Sequence, residues 1–484
     1  MSLKNYIIRV FGLLNERAEY AVLRNYEGLP ERNESRDIDI IITRRGFRSI
    51  KRELVDTLCQ EGWRIVTYLN SDRLITFVCA KNVGNETEIV QWDFFLNTSV
   101  WGVELMSAEE FVEHRVWNGF LWHVDIVGEF LDKYLYNRAV GEAYPAKYEA
   151  IRRRIFGPLT EDLSLTEPKV FEPKAIKCTD DTEDAVALPA LKSELSVKSV
   201  GDKTSRRVES KLSQVFGCGD LVVCDGLSGK RLFGRAVWWN LKRRPFGLIA
   251  GVCAFLWSFV RNYICTNTGF AIGFTGPDGV GKTTVIEMLI GRLGGVFRTA
   301  HSYMHFRPML FGNLGEVAHS AGLKREVDRN YNDPHRGKKV GVLSSLVRLA
   351  YYSVDYIVGY WLKVKSQIRI TRLVVFDRYY TDVICDSRRS RIFLNYRFLY
   401  WFGRVFIPQL DYNILLTAEV DTILARKQEL TREGIEVINE RIDYLAGKKG
   451  YVKFLNDGGP EETVTEILEW VFEEQHKRNL KRLF

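Results

Sequence analysis

The run Gly276-Pro277-Asp278-Gly279-Val280-Gly281-Lys282-Thr283-Thr284 constrains this chain more than any other stretch, because it follows an apolar run, 271–275, that reads as a buried strand. Three glycines let the backbone curl so that successive N–H groups converge on one point, Lys282 reaches the same point, and the Thr283 hydroxyl can ligate a metal ion. Residues 285–293 have helical spacing, so a helix N-terminus adds further donors and a favourable dipole. Strand, loop and helix in this order cradle a polyphosphate. Gly276 and the residues Asp278, Gly279, Val280, Gly281, Lys282, Thr283 and Thr284 are therefore the candidate nucleotide-binding set, and ATP with Mg2+ the expected cofactors.

With 484 residues the chain can bury more than one core, and 46% hydrophobic and 13% aromatic content describe a globular protein of two or three domains. The formal charge of +8 suits anionic partners, yet the excess is spread thinly, so nucleic acid is not an expected partner. Eight cysteines show no CxxC pair and no zinc spacing, and read as reduced thiols of a cytoplasmic protein. The first residues lack a long apolar run and a small-residue cleavage site, so export is not expected. His114, His123 and His301 are isolated and read as structural.

Short β-rich runs at 20–24, 37–43, 63–69, 73–80 and 87–96, with a helix at 47–60, predict a small α/β unit, followed by helix-like stretches over 108–156. Between 158 and 214 aromatics almost vanish while Pro, Ser, Thr and charge dominate, which predicts a disordered linker. An uncharged run at 245–260, bracketed by Lys242-Arg243-Arg244 and Arg261, is shorter than the ~20 residues of a spanning helix. It suits a helix packed on a core or partner, one lying in an anionic membrane interface, or, as the remaining alternative, one that spans the membrane. From 269 onward strands and helices alternate, as in a doubly wound parallel sheet, with 373–377 and 412–417 typical of buried parallel strands. The tyrosine-rich stretch 349–362 has the spacing of a core helix. The expected division is 1–157, a linker 158–214, a helical and membrane-interfacial segment 215–268, and 269–484.

Asp377-Arg378-Tyr379 puts a carboxylate and a guanidinium at the carboxyl end of a buried strand, where open α/β sheets place ligands. Asp377 can hold magnesium through water and Arg378 can fork onto a phosphate oxygen. Together with the glycine-rich run, this resembles the thymidylate kinase family of P-loop nucleoside monophosphate kinases over roughly 269–484. The resemblance implies that Asp278 faces an acceptor sugar, that Arg378 contacts the acceptor phosphate, and that Thr283 and Asp377 serve the metal. Position 279 is glycine where some members carry an arginine. Members of this kind take a charge-stabilising arginine from a lid, for which Arg426, Lys427 and Arg432 are available. The family's arginine-proline element appears as His305-Phe306-Arg307-Pro308. The segment after Tyr379 runs through Asp382 and Asp386 to Arg388-Arg389, without the usual Ser/Ala/Gln-Gly pattern. Arg307 and Arg389 are the remaining acceptor-side cations. The arrangement, with Asp333-Pro334-His335 and Arg426-Lys427-Gln428-Glu429, looks like a divergent branch found fused to a second module and associated with bacterial surface-polysaccharide genes.

Asp37 and Asp39 lie two apart on one strand and so project together, and Asp93 lies on another strand. Three convergent carboxylates can hold two magnesium ions for nucleotidyl transfer. The pattern resembles the nucleotidyltransferase superfamily over roughly 18–100, although residues 30–36 stand where a Gly-Ser turn usually precedes the pair. Active transfer, a regulatory metal or nucleotide site, and a structural role are all open for this unit.

The chain is thus expected to be an α/β phosphotransferase with Lys282, Asp377, Arg378 and Arg426 as catalytic residues. A nucleoside monophosphate, dTMP first, or another phosphorylated small molecule is the acceptor. A sugar or glycan kinase of surface-polysaccharide synthesis and a nucleotide-gated binding protein are the alternatives. Peripheral contact at the inner membrane face through 245–260, and a homodimer, are compatible with each.

Overall fold

Short runs of buried residues set the first strands close to where the sequence places them. The computed structural model of the chain describes residues 2–33, 35–157, 194–265, 268–293, 302–308, 341–369 and 372–484. Helix α1 (Leu3–Arg17) precedes β1 (Tyr20–Val22) and β2 (Asp37–Ile42). Helix α2 (Arg44–Leu58) opens on a Thr43 cap, whose hydroxyl accepts the Gly46 N–H at 3.0 Å. Strands β3 (Arg64–Asn70), β4 (Leu74–Val83) and β5 (Glu86–Phe95) form an antiparallel meander, and β2 adds to β5 in parallel.

Two compact units emerge, and the larger is discontinuous: residues 1–20, 25–96 and 253–484 group together, and 21–24 with 97–252 form the other. Residues 1–20 and 25–96 thus group with the C-terminal half rather than with 97–157. The smaller unit contains the hairpin β6 (Asn97–Val100) and β7 (Val103–Ser107), helix α3 (Ala108–Glu113), and β8 (Val116–Trp117) paired with β9 (Trp122–His123). Val22 of β1 pairs with His123 in this unit. Helices α4 (Ile126–Val140), α5 (Glu149–Phe156), α6 (Glu194–Phe216), α7 (Leu221–Gly226) and α8 (Gly229–Arg243) follow.

Helix α6 departs from the expected linker, whose first part, 158–193, lies outside the described residues. Val208, Leu212, Val215 and Phe216 recur at helical spacing and are buried, while Arg207 pairs with Asp125 and Lys211 with Glu110. The basic, Ser-rich composition concealed that apolar stripe. Helix α9 (Pro245–Phe259) belongs to the smaller unit as far as Val252 and to the larger from Cys253.

The C-terminal half is built on a five-stranded, wholly parallel sheet. Its strands are β10 (Phe270–Thr275), β11 (Ser302–His305), β12 (Leu373–Asp377), β13 (Tyr412–Thr417) and β14 (Tyr451–Leu455), in the order β11-β12-β10-β13-β14. β10, β12 and β13 are buried along their whole length, as near-continuous apolar runs in parallel sheets are. The helices are α10 (Lys282–Leu293), α11 (Val342–Gly359), α12 (Lys365–Arg369), α13 (Tyr380–Cys385), α14 (Ser387–Ser390), α15 (Tyr396–Phe406), α16 (Val420–Arg426), α17 (Arg432–Ala446) and α18 (Pro460–Leu483).

Within the larger unit, α18 joins the two sheets. Asn479 Nδ2 donates to the carbonyls of Ile65 (3.0 Å) and Val66 (2.9 Å) in β3, and Glu473 pairs with Arg64 at 2.7 Å. Val66, Val78 and Ala80 share one apolar core with the parallel sheet. Arg292, in the last turn of α10, donates to Thr465 Oγ1 (2.7 Å), Asn82 Oδ1 (3.1 Å) and the Glu86 carbonyl (3.2 Å). The helix that starts at the glycine-rich run is thereby tied to the β4–β5 hairpin.

Candidate functional site

The glycine-rich run forms a tight loop between β10 and α10, at the carboxyl ends of the central strands. Gly276 is required by close approach, since a Cβ there would lie 2.4 Å from the Leu416 carbonyl oxygen. Gly281 is required by conformation, with φ +90°, which L side chains rarely adopt. Gly279 shares that region at +91°. Asn456, just past β14, braces the loop by donating to the Val280 carbonyl at 2.7 Å, its own oxygen accepting from Thr463 at 3.0 Å. Thr283 and Thr284 are exposed in the first turn of α10.

Lys282 is buried, and its amine donates to the carbonyls of Gly276 and Pro277, both at 2.8 Å. Burial pushes its pKa down to about 7, with the Arg378 charge adding to the effect and Asp278, Asp382 and Asp377 opposing it. At pH 8.5 the amine is therefore mostly neutral, whereas a polyphosphate beside it favours the ammonium form. On the reading that the loop takes ATP, its binding at pH 8.5 is expected to take up close to one proton per site. Titration calorimetry in buffers of different ionisation enthalpy measures this uptake, and it should be absent from Lys282→Met at saturating nucleotide.

Asp377 ends β12 and accepts from the Tyr303 hydroxyl at 2.9 Å, with His305 Nδ1 at 3.4 Å. Burial works against its charge, but the bonds from His305 and Tyr303, with the Arg378 and Lys282 charges, hold the carboxyl down to about 2. Its Oδ1 is buried without a hydrogen-bond partner. An ionised carboxylate with one open oxygen at the head of a loop of this kind fits a hydrated magnesium ion.

Arg378 follows with φ +72°, a strained conformation for a non-glycine residue, fixed by its N–H donating to the Phe274 carbonyl at 2.9 Å. From there its guanidinium pairs with Asp278 and with Asp382, the latter at 2.9 Å. Arg389 pairs with the other oxygen of Asp278 and lies 3.7 Å from Asp386. Asp382 is fully enclosed; burial raises its pKa, with the Arg378 charge pulling the other way. The structure thus gathers Asp278, Lys282, Asp377, Arg378 and Arg389 into one cluster.

Two expected members pair with other groups. Arg307 is buried beyond β11, its guanidinium 3.1 Å from the fully buried Asp355 on α11 and 4.5 Å from the centre of the Tyr352 ring. Arg426 ends α16 and is held by the carbonyls of Asn456 (2.8 Å), Asp457 and Gly458 (both 3.4 Å), while Lys427 pairs with Glu429 and Arg432 with Asp421 at the surface. The lid arginine expected from the sequence is thus engaged with main chain here. Asp333-Pro334-His335 lies outside the described residues.

Sequence reasoning missed Tyr303, His305, Asp382 and Asn456. Tyr303 and His305 share one face of a strand by period two, and Asp382 sits four residues after Arg378, so spacing alone could have flagged three of them. Asn456 acts through a strand far along the chain and left no local signal.

In the N-terminal sheet, Asp39 of β2 stands opposite Asp93 of β5, and each of Asp37, Asp39 and Asp93 brings a carboxylate oxygen within 4.8 Å of the others. Asp39 and Asp93 are buried. The Thr76 hydroxyl and the Gln91 amide, the latter at 2.8 Å, donate to Asp93. So much negative charge in so little space suits a divalent cation.

No family model matches the chain, and no curated protein matches it. Among solved structures it is similar to thymidylate kinase from Ehrlichia chaffeensis, at 13% identity and a TM-score of 0.30, over 42% of this chain and 98% of that one.

Proposed function

We propose that this protein is an ATP- and magnesium-dependent phosphotransferase whose acceptor is a nucleoside monophosphate, dTMP first. The observation that carries the reading is the meeting of Lys282, Asp377 and the Asp278–Arg378–Arg389 cluster around the loop at the carboxyl ends of β10 and β12. Lys282, once turned from its loop carbonyls, faces the terminal phosphates of the donor. Thr283 and Asp377 are the residues that would hold a magnesium ion, whose charge would offset that of those phosphates. Arg378 and Arg389 both rest on Asp278, and an acceptor phosphate competes for them as a bidentate anion. Asp278 is then released toward the acceptor's sugar hydroxyl. No strong base is needed, because a phosphate acceptor is already nucleophilic and the rate comes from positioning and charge neutralisation.

The test is transfer of labelled phosphate from ATP to a panel of nucleoside monophosphates and sugars. Label should reach a nucleotide with wild type and with Asp37→Asn/Asp39→Asn, but not with Lys282→Ala. Transfer to sugars alone, or ATP binding without turnover, would overturn the nucleotide-kinase reading.

The carboxylate triad favours a second reading for the N-terminal sheet, a divalent-metal site of nucleotidyltransferase type. Manganese titration followed by electron paramagnetic resonance is expected to show a class of bound ion that Asp39→Asn/Asp93→Asn loses and Lys282→Ala keeps. Equal manganese binding by wild type and the double variant would remove this site.

A further inference from the structure

Helix α9 reverses the usual polarity of a surface helix. The side it turns inward is small or polar. Gly251 lies so close to Gly102 that a Cβ would come within 2.2 Å of the Gly102 carbonyl oxygen. Ser258 is buried, and Asn262, just beyond the helix, is buried too and donates to the Asn70 carbonyl at 2.8 Å. The opposite side carries Phe246, Ile249, Cys253, Leu256, Trp257 and Val260, which fall on one helical stripe and are all exposed, Phe246 by 85% and Trp257 by 66%. Burying these side chains would be favourable, and the fold instead spends the helix's polar face on its own packing.

The flanks indicate what covers the stripe. Lys242, Arg243 and Arg244 precede it and are exposed, Arg261 follows, and no charged residue occurs between Pro245 and Val260. A run of 18 residues, Pro245–Asn262, is apolar enough to cross a bilayer. At ~1.5 Å per residue it is nevertheless a few ångströms short of a hydrocarbon core of ~30 Å. Asn262 and Ser258 also hold it against protein along one side, which a lipid-surrounded helix would not allow.

We propose that α9 lies in the plane of an anionic lipid bilayer, with the stripe from Phe246 to Val260 among the acyl chains and residues 242–244 at the level of the lipid phosphates. Apolar area and basic flanks act together in such binding, so it weakens as salt screens the charges. This inference is independent of the proposed kinase activity, because it rests on none of the residues around the loop at 276–284.

The test is flotation of the full chain with vesicles of phosphatidylcholine, with and without phosphatidylglycerol. Wild type is expected to float at least tenfold more with the anionic vesicles. Phe246→Ser/Ile249→Ser/Trp257→Ser and Lys242→Ala/Arg243→Ala/Arg244→Ala should each lose at least tenfold in vesicle affinity while keeping the wild-type circular dichroism spectrum. Wild type that stays with the dense fraction, or a serine variant that floats equally well, would overturn the proposal. So would a light-scattering mass that drops from dimer to monomer in the serine variant without vesicle binding by wild type, which would assign the stripe to a second copy. Resistance of the vesicle-bound protein to alkaline carbonate would overturn it in favour of a spanning helix.

Discussion

Lys282→Ala is expected to lower kcat/KM for phosphoryl transfer by about 10^3-fold, about 4 kcal/mol of transition-state stabilisation. The amine sits in a dry recess formed by the carbonyls of Gly276 and Pro277. Negative charge that builds on a transferring phosphoryl group there meets a cation with little solvent to screen it. Most of the loss should fall on kcat, because the charge matters most when the phosphoryl group is between its two oxygens. Lys282→Arg should fail to restore activity, since a planar guanidinium cannot occupy a recess shaped around a compact ammonium. Steady-state kinetics on both variants checks the result. A tenfold loss or less would take the loop out of the chemistry.

Arg307→Met is expected to destabilise the fold by about 3–5 kcal/mol, measured as a lower urea midpoint. Asp355 is fully buried, and the variant deprives its carboxylate of the guanidinium 3.1 Å away. The pair as a whole adds far less than either half removes, so Arg307→Met/Asp355→Leu should recover most of the stability. The sequence reading made Arg307 an acceptor-binding cation. If that were its main role, Arg307→Met would raise the acceptor KM and leave the urea midpoint in place.

The contrast between Lys282 and Arg307 shows which features were legible in the chain. Lys282 belongs to a local pattern of strand, loop and helix, and each part leaves its mark within about twenty residues. Asp37 and Asp39 were legible for the same reason, as the period of two on β2 fixes their shared face. Arg307 owes its position to Asp355, 48 residues further on, and Arg389 reaches back 111 residues to Asp278. No local pattern encodes such partners. The parallel sheet could be foreseen from its apolar runs, but not its strand order. Helix α6 was hidden because composition averages over a stretch, whereas a helix needs only one apolar stripe.

The bond from Asn479 to β3 spans 413 residues of chain. At roughly 5–20 residues per second, a ribosome that has released Val66 needs roughly 20–80 s to supply its partner. Throughout that interval residues 1–20 and 25–96 lack the helix that β3 packs against, and Val66, Val78 and Ala80 stay short of the core they share with the C-terminal half. A ribosome stalled before α18 therefore leaves a fragment without the helix that bonds to Ile65 and Val66, and its larger core stays incomplete.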